Sequence, residues 1–118
     1  MPIETKIVNL SYLIEMSEGD NTIIKEMIDI FKTQVDEFKT EMDQLFNNSE
    51  WLHLGMLAHK AKSSIAIMGM EKLAVELKEL EILAKRGEKT ETYKMYIESF
   101  NLQCDLALKE LKEVYKSL

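Results

Sequence analysis

Ala58-His59-Lys60-Ala61-Lys62-Ser63-Ser64, followed at a short distance by Gly69, is the stretch of this chain whose residue types and spacing can do chemistry. Imidazole is a nitrogen nucleophile near neutral pH. A lysine three residues on, Lys62, lies one helical turn further along the same side, where an ammonium can neutralise an anion gathered on the ring. Such a contact at an exposed site is worth on the order of 1 kcal/mol. The Ser63 hydroxyl can donate a hydrogen bond to the same anion. The second histidine, His53, precedes His59 by six residues and falls roughly 120° away around a helix, so the two cannot share a metal on one face.

The elements that must hold these residues follow from apolar spacing. A single proline, Pro2, and 4 glycines leave the chain free to run as helix. A short opening helix is expected around Ile7 to Met16, ended by Gly19, with Asp20 as the next N-cap. Ile24, Met27, Ile28, Phe31, Val35, Phe38, Met42 and Leu45 then recur at spacings of three and four, one stripe of a long amphipathic helix. Asn47-Asn48-Ser49 reads as a turn ending in a cap. Leu54, Leu57, Ala58, Ala61, Ile65 and Met68 form the second stripe, and Met70, Leu73, Leu77, Leu80 and Ala84 the third. Lys85-Arg86-Gly87 supplies a C-terminal signal. From about Thr90, Tyr93, Ile97, Phe100, Cys104, Ala107, Leu111, Val114 and Leu118 make the fourth. With no alternating strand pattern, the fold class is all-α: an antiparallel four-helix bundle with a short additional N-terminal helix, one domain over residues 1–118.

On the second long helix the core stripe is centred near Ala61, and at about 100° per residue His59 points roughly 150° away from it, toward solvent. Leu52, Gly55, Met56, Ser63 and Ala66 surround it on the same arithmetic. A bundle exterior normally carries Glu and Lys; this neighbourhood is small or apolar. Gly55 and Ala66 would let a partner approach the imidazole, and Leu52 and Met56 offer it surface to bury. The competing reading is a second core face, covered by the opening helix or by another copy of the chain.

Bulk properties narrow the function. A net charge of −6 opposes nucleic-acid binding, which needs a positive footprint. The N-terminal charges at Glu4 and Lys6, and the lack of a continuous apolar run, argue against a signal peptide or membrane span. One cysteine forms no internal disulfide and fits a reducing compartment, so a cytoplasmic domain is expected. Cys104 sits on a core stripe and reads as a small buried hydrophobe. Ser64 reads as a local helix hydrogen-bonder, and Glu76, Glu79 and Glu81 as a solvated face. No acidic cluster near His59 has Mg²⁺ geometry, and no glycine-rich ATP loop is present, so neither resident metal nor autonomous kinase activity is expected.

His59-x-x-Lys62 with small residues and then a glycine, on the second long helix of a four-helix bundle, resembles the histidine-containing phosphotransfer (HPt) domain family. The usual family pattern reads His-x-Leu-Lys-Gly-Ser, then Leu-Gly; here it is His59-Lys60-Ala61-Lys62-Ser63-Ser64, then Met68-Gly69. Gly19-Asp20, Phe31, and Leu73 through Leu80-Glu81 extend the resemblance over nearly the whole chain. Ala61 stands where leucine is usual and trims the core; Ser63 stands where glycine is usual and adds a Cβ and a hydroxyl to the docking face. The resemblance implies a phosphoryl carrier in a multistep phosphorelay, with His59 as phospho-acceptor, Lys62 and Ser63 supporting the phosphoryl group, and Leu52, Gly55, Met56 and Ala66 docking the partner. It implies response-regulator receiver domains and a hybrid sensor histidine kinase as partners, Mg²⁺ on the receiver rather than on this chain, and a monomer. The alternative is a non-phosphorylated helical adaptor that binds through the His59 face by burial alone. A cofactor-binding bundle would need inward histidines or paired glutamates, and the stripes contain none.

Overall fold

The four apolar stripes become the inward faces of four long helices. In the computed structural model, which describes residues 5–118, α1 spans Ser11–Ser17, α2 Asn21–Asn47, α3 Trp51–Ile67, α4 Glu71–Arg86 and α5 Tyr93–Ser117. Pro2 and Glu4 lie outside the described residues. α2 to α5 run antiparallel in sequence order around a ring, with α5 returning beside α2 and α1 packing on α2. The bundle is a rod of 43 × 20 × 20 Å. Its axis is filled by Phe31, Phe38 and Met42 of α2, Leu54 and Ile65 of α3, Leu73, Leu77 and Leu80 of α4, and Tyr93, Phe100 and Leu111 of α5. Each such side chain stabilises the fold by about 1.5–3 kcal/mol on burial. Among the described residues there is no strand, and no helix is long and apolar enough to cross a membrane.

Helix ends explain how the bundle is indexed. Asp20 Oδ1 accepts from the backbone N–H groups of Thr22 at 2.9 Å and Ile23 at 3.3 Å, capping α2 as expected. Gly69 takes φ +70° after α3, and the Met70 N–H closes back on the Ile65 carbonyl at 3.3 Å. A side chain at Gly69 would be excluded twice over, because a Cβ there would lie 2.4 Å from the Asn9 carbonyl oxygen.

Three boundaries differ from the sequence expectation. The opening helix starts at Ser11, not near Ile7. The Glu110 carboxylate of α5 accepts from the backbone N–H groups of Lys6, Ile7 and Val8 at 2.7–3.0 Å, so this arm finds its partners across the bundle rather than within a helix. Ser49 does not cap α3: it takes φ +54°, Glu50 occupies the N-cap position, and no side chain caps it. The last helix opens with a 3₁₀ turn, Thr90–Thr92, before α5 begins. Cys104 is fully buried, and burial pushes its thiol up to about 12, so it is a packing residue without thiolate character.

Candidate functional site

α3 is oriented by Leu54, Leu57, Ala58, Ala61 and Ile65, all buried, and this presentation turns His59 outward with 58% of its side chain exposed. Leu52, Met56, Ser63 and Ala66 are exposed on the same helix, as the wheel placed them. His53 is also exposed, 3.9 Å from Glu50 and without a buried partner.

The imidazole is not free. Its Nδ1 lies 3.1 Å from Oε2 of Glu81, on α4. Because a carboxylate accepts, that contact assigns a proton to Nδ1, which donates to Glu81, and leaves Nε2 as the ring nitrogen outside this bond, on a side chain that is mostly exposed. Glu81 is 7% exposed at the side chain, which overturns its reading as part of a solvated face. A carboxylate so covered requires cations. Lys85 Nζ donates to Oε2 at 2.8 Å, while Lys62 and Lys78 stand 3.8 and 3.7 Å from Oε1 without hydrogen-bonding it. The Lys85 hydrogen bond, together with the bond from His59, the charge that ring carries when protonated and the charge of Lys78, outweighs the opposing cost of burial and lowers the Glu81 carboxyl from 4.5 to about 2.

Glu81, Lys78 and Lys85 thus surround an imidazole beside which the sequence analysis placed Lys62 and Ser63, with Leu52, Gly55, Met56 and Ala66 on the docking face. The signal was faint: Glu81 follows Leu80 at the edge of the third stripe, flanked by lysines at i−3 and i+4. Glu76 is also half-buried rather than solvated, accepting from Ser99 and Gln103 of α5, whereas Glu79 stays at the surface and accepts from Tyr96 at 2.9 Å. Ser64 does not bond within its helix; it donates to Gln34 Oε1 of α2 at 2.8 Å. One turn before Gln34, Ile30 is exposed, and Ile23 seven residues earlier shares its face, so α2 adds apolar surface beside α3.

Gly55 requires the largest correction. It is buried, not part of an outer docking face. A Cβ there would lie 2.8 Å from Lys85 Cγ, 3.0 Å from the Glu81 carbonyl oxygen and 3.0 Å from the Lys85 backbone nitrogen. The helix covering it is α4, neither the opening helix nor a second chain. Glycine here lets α3 and α4 close to backbone contact, and that closeness brings Glu81 within reach of His59.

The Glu81 network makes a pH signature. A carboxyl whose folded value is depressed contributes stability that is complete above its unfolded value, 4.5, and is lost as pH falls toward about 2. In denaturant melts, wild type should therefore lose stability relative to Glu81→Gln as pH drops from roughly 5 to about 2, the window this linkage defines. A difference between the two proteins that stays constant across that window would show that the network does not hold the carboxylate ionised.

No curated protein and no solved structure matches the chain. A family model does: the Hpt domain, over residues 26–114. That span enters α2 in its second turn, carries both His59 and Glu81, and ends near the close of α5. With α3 and α4 wholly inside the match, most of α2 and α5 with them, and an exposed histidine on the second of these four helices, the chain belongs to the Hpt domain family.

Proposed function

We propose that this chain carries a phosphoryl group on Nε2 of His59, taken from a phospho-aspartate of one receiver domain and passed to the aspartate of another. Hpt domains serve histidine phosphotransfer in two-component signalling and interact with receiver domains and kinases. The observation that carries the reading onto this residue is the Nδ1 to Glu81 contact at 3.1 Å, because it leaves the ring-tip nitrogen as the nucleophile.

The transfer balances on these residues. Nε2 forms a bond to phosphorus as the acyl-phosphate P–O bond of the receiver breaks, and the aspartate carboxylate leaves with the bonding pair. The ring gains positive charge while Nδ1 keeps its proton, and the buried Glu81 carboxylate stabilises that charge in place. Lys62 and Lys78, close to Glu81 but not hydrogen-bonded to it, can swing to the phosphoryl oxygens without leaving a donor bond behind. Ser63, exposed one turn beyond His59, can add a hydroxyl donor. The divalent cation that phosphoryl transfer leans on would come with the receiver. A hybrid sensor kinase would supply the first phosphoryl group.

Mixing the chain with a phosphorylated receiver should place acid-labile, alkali-stable phosphate on it. Docking should depend on the exposed face beside the ring. Ala66→Glu sets a carboxylate where an acidic receiver pocket must close, and should cut transfer at least tenfold, a cost of at least about 1.4 kcal/mol. A small-molecule phosphodonor, which needs no docking surface, should label that variant nearly as well as wild type. Normal transfer from the receiver to Ala66→Glu would move the interface elsewhere.

A further inference from the structure

The opposite side of the bundle carries a second surface that phosphotransfer does not use. α2 and α5 flank a groove of about 910 Å³, diagonal to the α3–α4 edge that presents His59. Its floor is apolar, with Ile28 and Leu111 buried beneath Leu102 and Leu106, which are 62% and 39% exposed. Its margins carry four of the chain's 15 cationic side chains: Lys32 from α2, and Lys109, Lys112 and Lys116 from α5. The spacing of the last three, at i, i+3 and i+7, keeps them along one edge.

Charge pairing on this surface is lopsided. Of the two acidic residues at the groove, Asp105 is paired with Lys39, while Asp29 accepts from the neutral Tyr115 hydroxyl at 3.3 Å, which leaves one uncompensated carboxylate against four lysines. Lys116 pairs with Glu113 at 3.5 Å, but Lys32, Lys109 and Lys112 have no ion-pair partner among the described residues. Unpaired lysines beside an exposed leucine pair, on a protein whose net charge is −6, are complementary to something both apolar and acidic. From Leu102 to Lys116 the edge runs about 21 Å, some four helical turns. Two helices with a trough between them receive a third helix by ridge-into-groove packing.

We infer that the α2–α5 groove docks an amphipathic helix of a partner protein, its apolar stripe on Leu102 and Leu106 and its flanking Asp or Glu residues on Lys32, Lys109 and Lys112. Because the groove lies across the bundle from His59, a receiver and this helix can occupy the protein together. The site would hold the carrier beside a partner while leaving the imidazole accessible.

The probe is a labelled synthetic helix of about 18 residues with leucines at i, i+3, i+4 and i+7 flanked by glutamates, compared with the same helix flanked by lysines. By fluorescence anisotropy the Glu-flanked helix should bind wild type at least about tenfold more tightly than the Lys-flanked one, with affinity falling as salt rises. Lys109→Glu with Lys112→Glu should reverse that order, and Leu102→Ser with Leu106→Ser should weaken the Glu-flanked helix by a similar factor. All four positions are exposed, so helicity and labelling of His59 by a small phosphodonor should be unchanged in both variants, which separates this site from the phosphotransfer reading. Equal binding of the two helices, or binding that survives charge reversal, overturns the proposal. So does capture by anionic lipid vesicles in place of the Glu-flanked helix, or self-association abolished by the leucine changes, since either gives the groove a different occupant.

Discussion

His59→Gln should abolish phosphoryl acceptance from a phosphorylated receiver and from small-molecule donors alike, with the fold intact. The amide offers no nucleophile in place of Nε2, so the loss is complete rather than graded. Stability should barely move, because the side chain is 58% exposed and Glu81 keeps Lys62, Lys78 and Lys85 around it. A surface change of this kind costs within about 0.5 kcal/mol, a shift of at most roughly 1–4 °C in Tm. His53→Gln is the control. His53 lacks a carboxylate on a neighbouring helix to set its tautomer, and its variant should accept phosphate as wild type does. Retained labelling of His59→Gln, or loss of labelling in His53→Gln, would remove His59 from the reaction.

The second large effect is expected at Gly55, and it falls on the fold. On helix propensity alone, replacing a mid-helix glycine would gain up to about 1 kcal/mol. Packing reverses that sign. Two of the three atoms nearest a new Cβ belong to the α4 backbone, at 3.0 Å, and cannot rotate aside as a side chain would. Overpacking at a contact of this kind costs about 1–3 kcal/mol, so Gly55→Ala should be mildly destabilised. Gly55→Glu must also force a long charged side chain into the seam where the two backbones meet, and should lose at least about 3 kcal/mol or fail to unfold cooperatively. Denaturant melts distinguish the two. In the alanine variant, which still folds, α4 must retreat from α3, lengthening the His59 to Glu81 contact. Phosphoryl acceptance there should fall by more than the loss of folded protein explains. A Gly55→Glu protein as stable as wild type would show that the two helices do not meet at this position.

Much of this molecule is written in local chemistry. Spacings of three and four between Ile24 and Val114 determine four helices, because an amphipathic helix buries whichever residues share its face. Asp20 and Gly87 mark helix ends through bonds made within a few residues. His59 pointing outward was equally legible, since it lies nearly opposite the stripe through Ala61. The boundary between faces was not. A helical wheel assigns each residue an angle to one core, but α3 is covered from two sides, by α2 and by α4. Gly55, roughly 120° from Ala61, falls under α4. Having no side chain, it adds nothing to an apolar pattern; its backbone is what is buried. Glu81 was hidden for the complementary reason, since a charged residue at a stripe edge reads as solvated until the neighbouring helix brings an imidazole and a lysine to it. Apolar spacing along the chain is enough for the helices, the bundle and the outward histidine. Only the packing of α3 on α4 decided that the histidine is held by a buried carboxylate, because that contact joins residues 22 positions apart whose meeting no local pattern encodes.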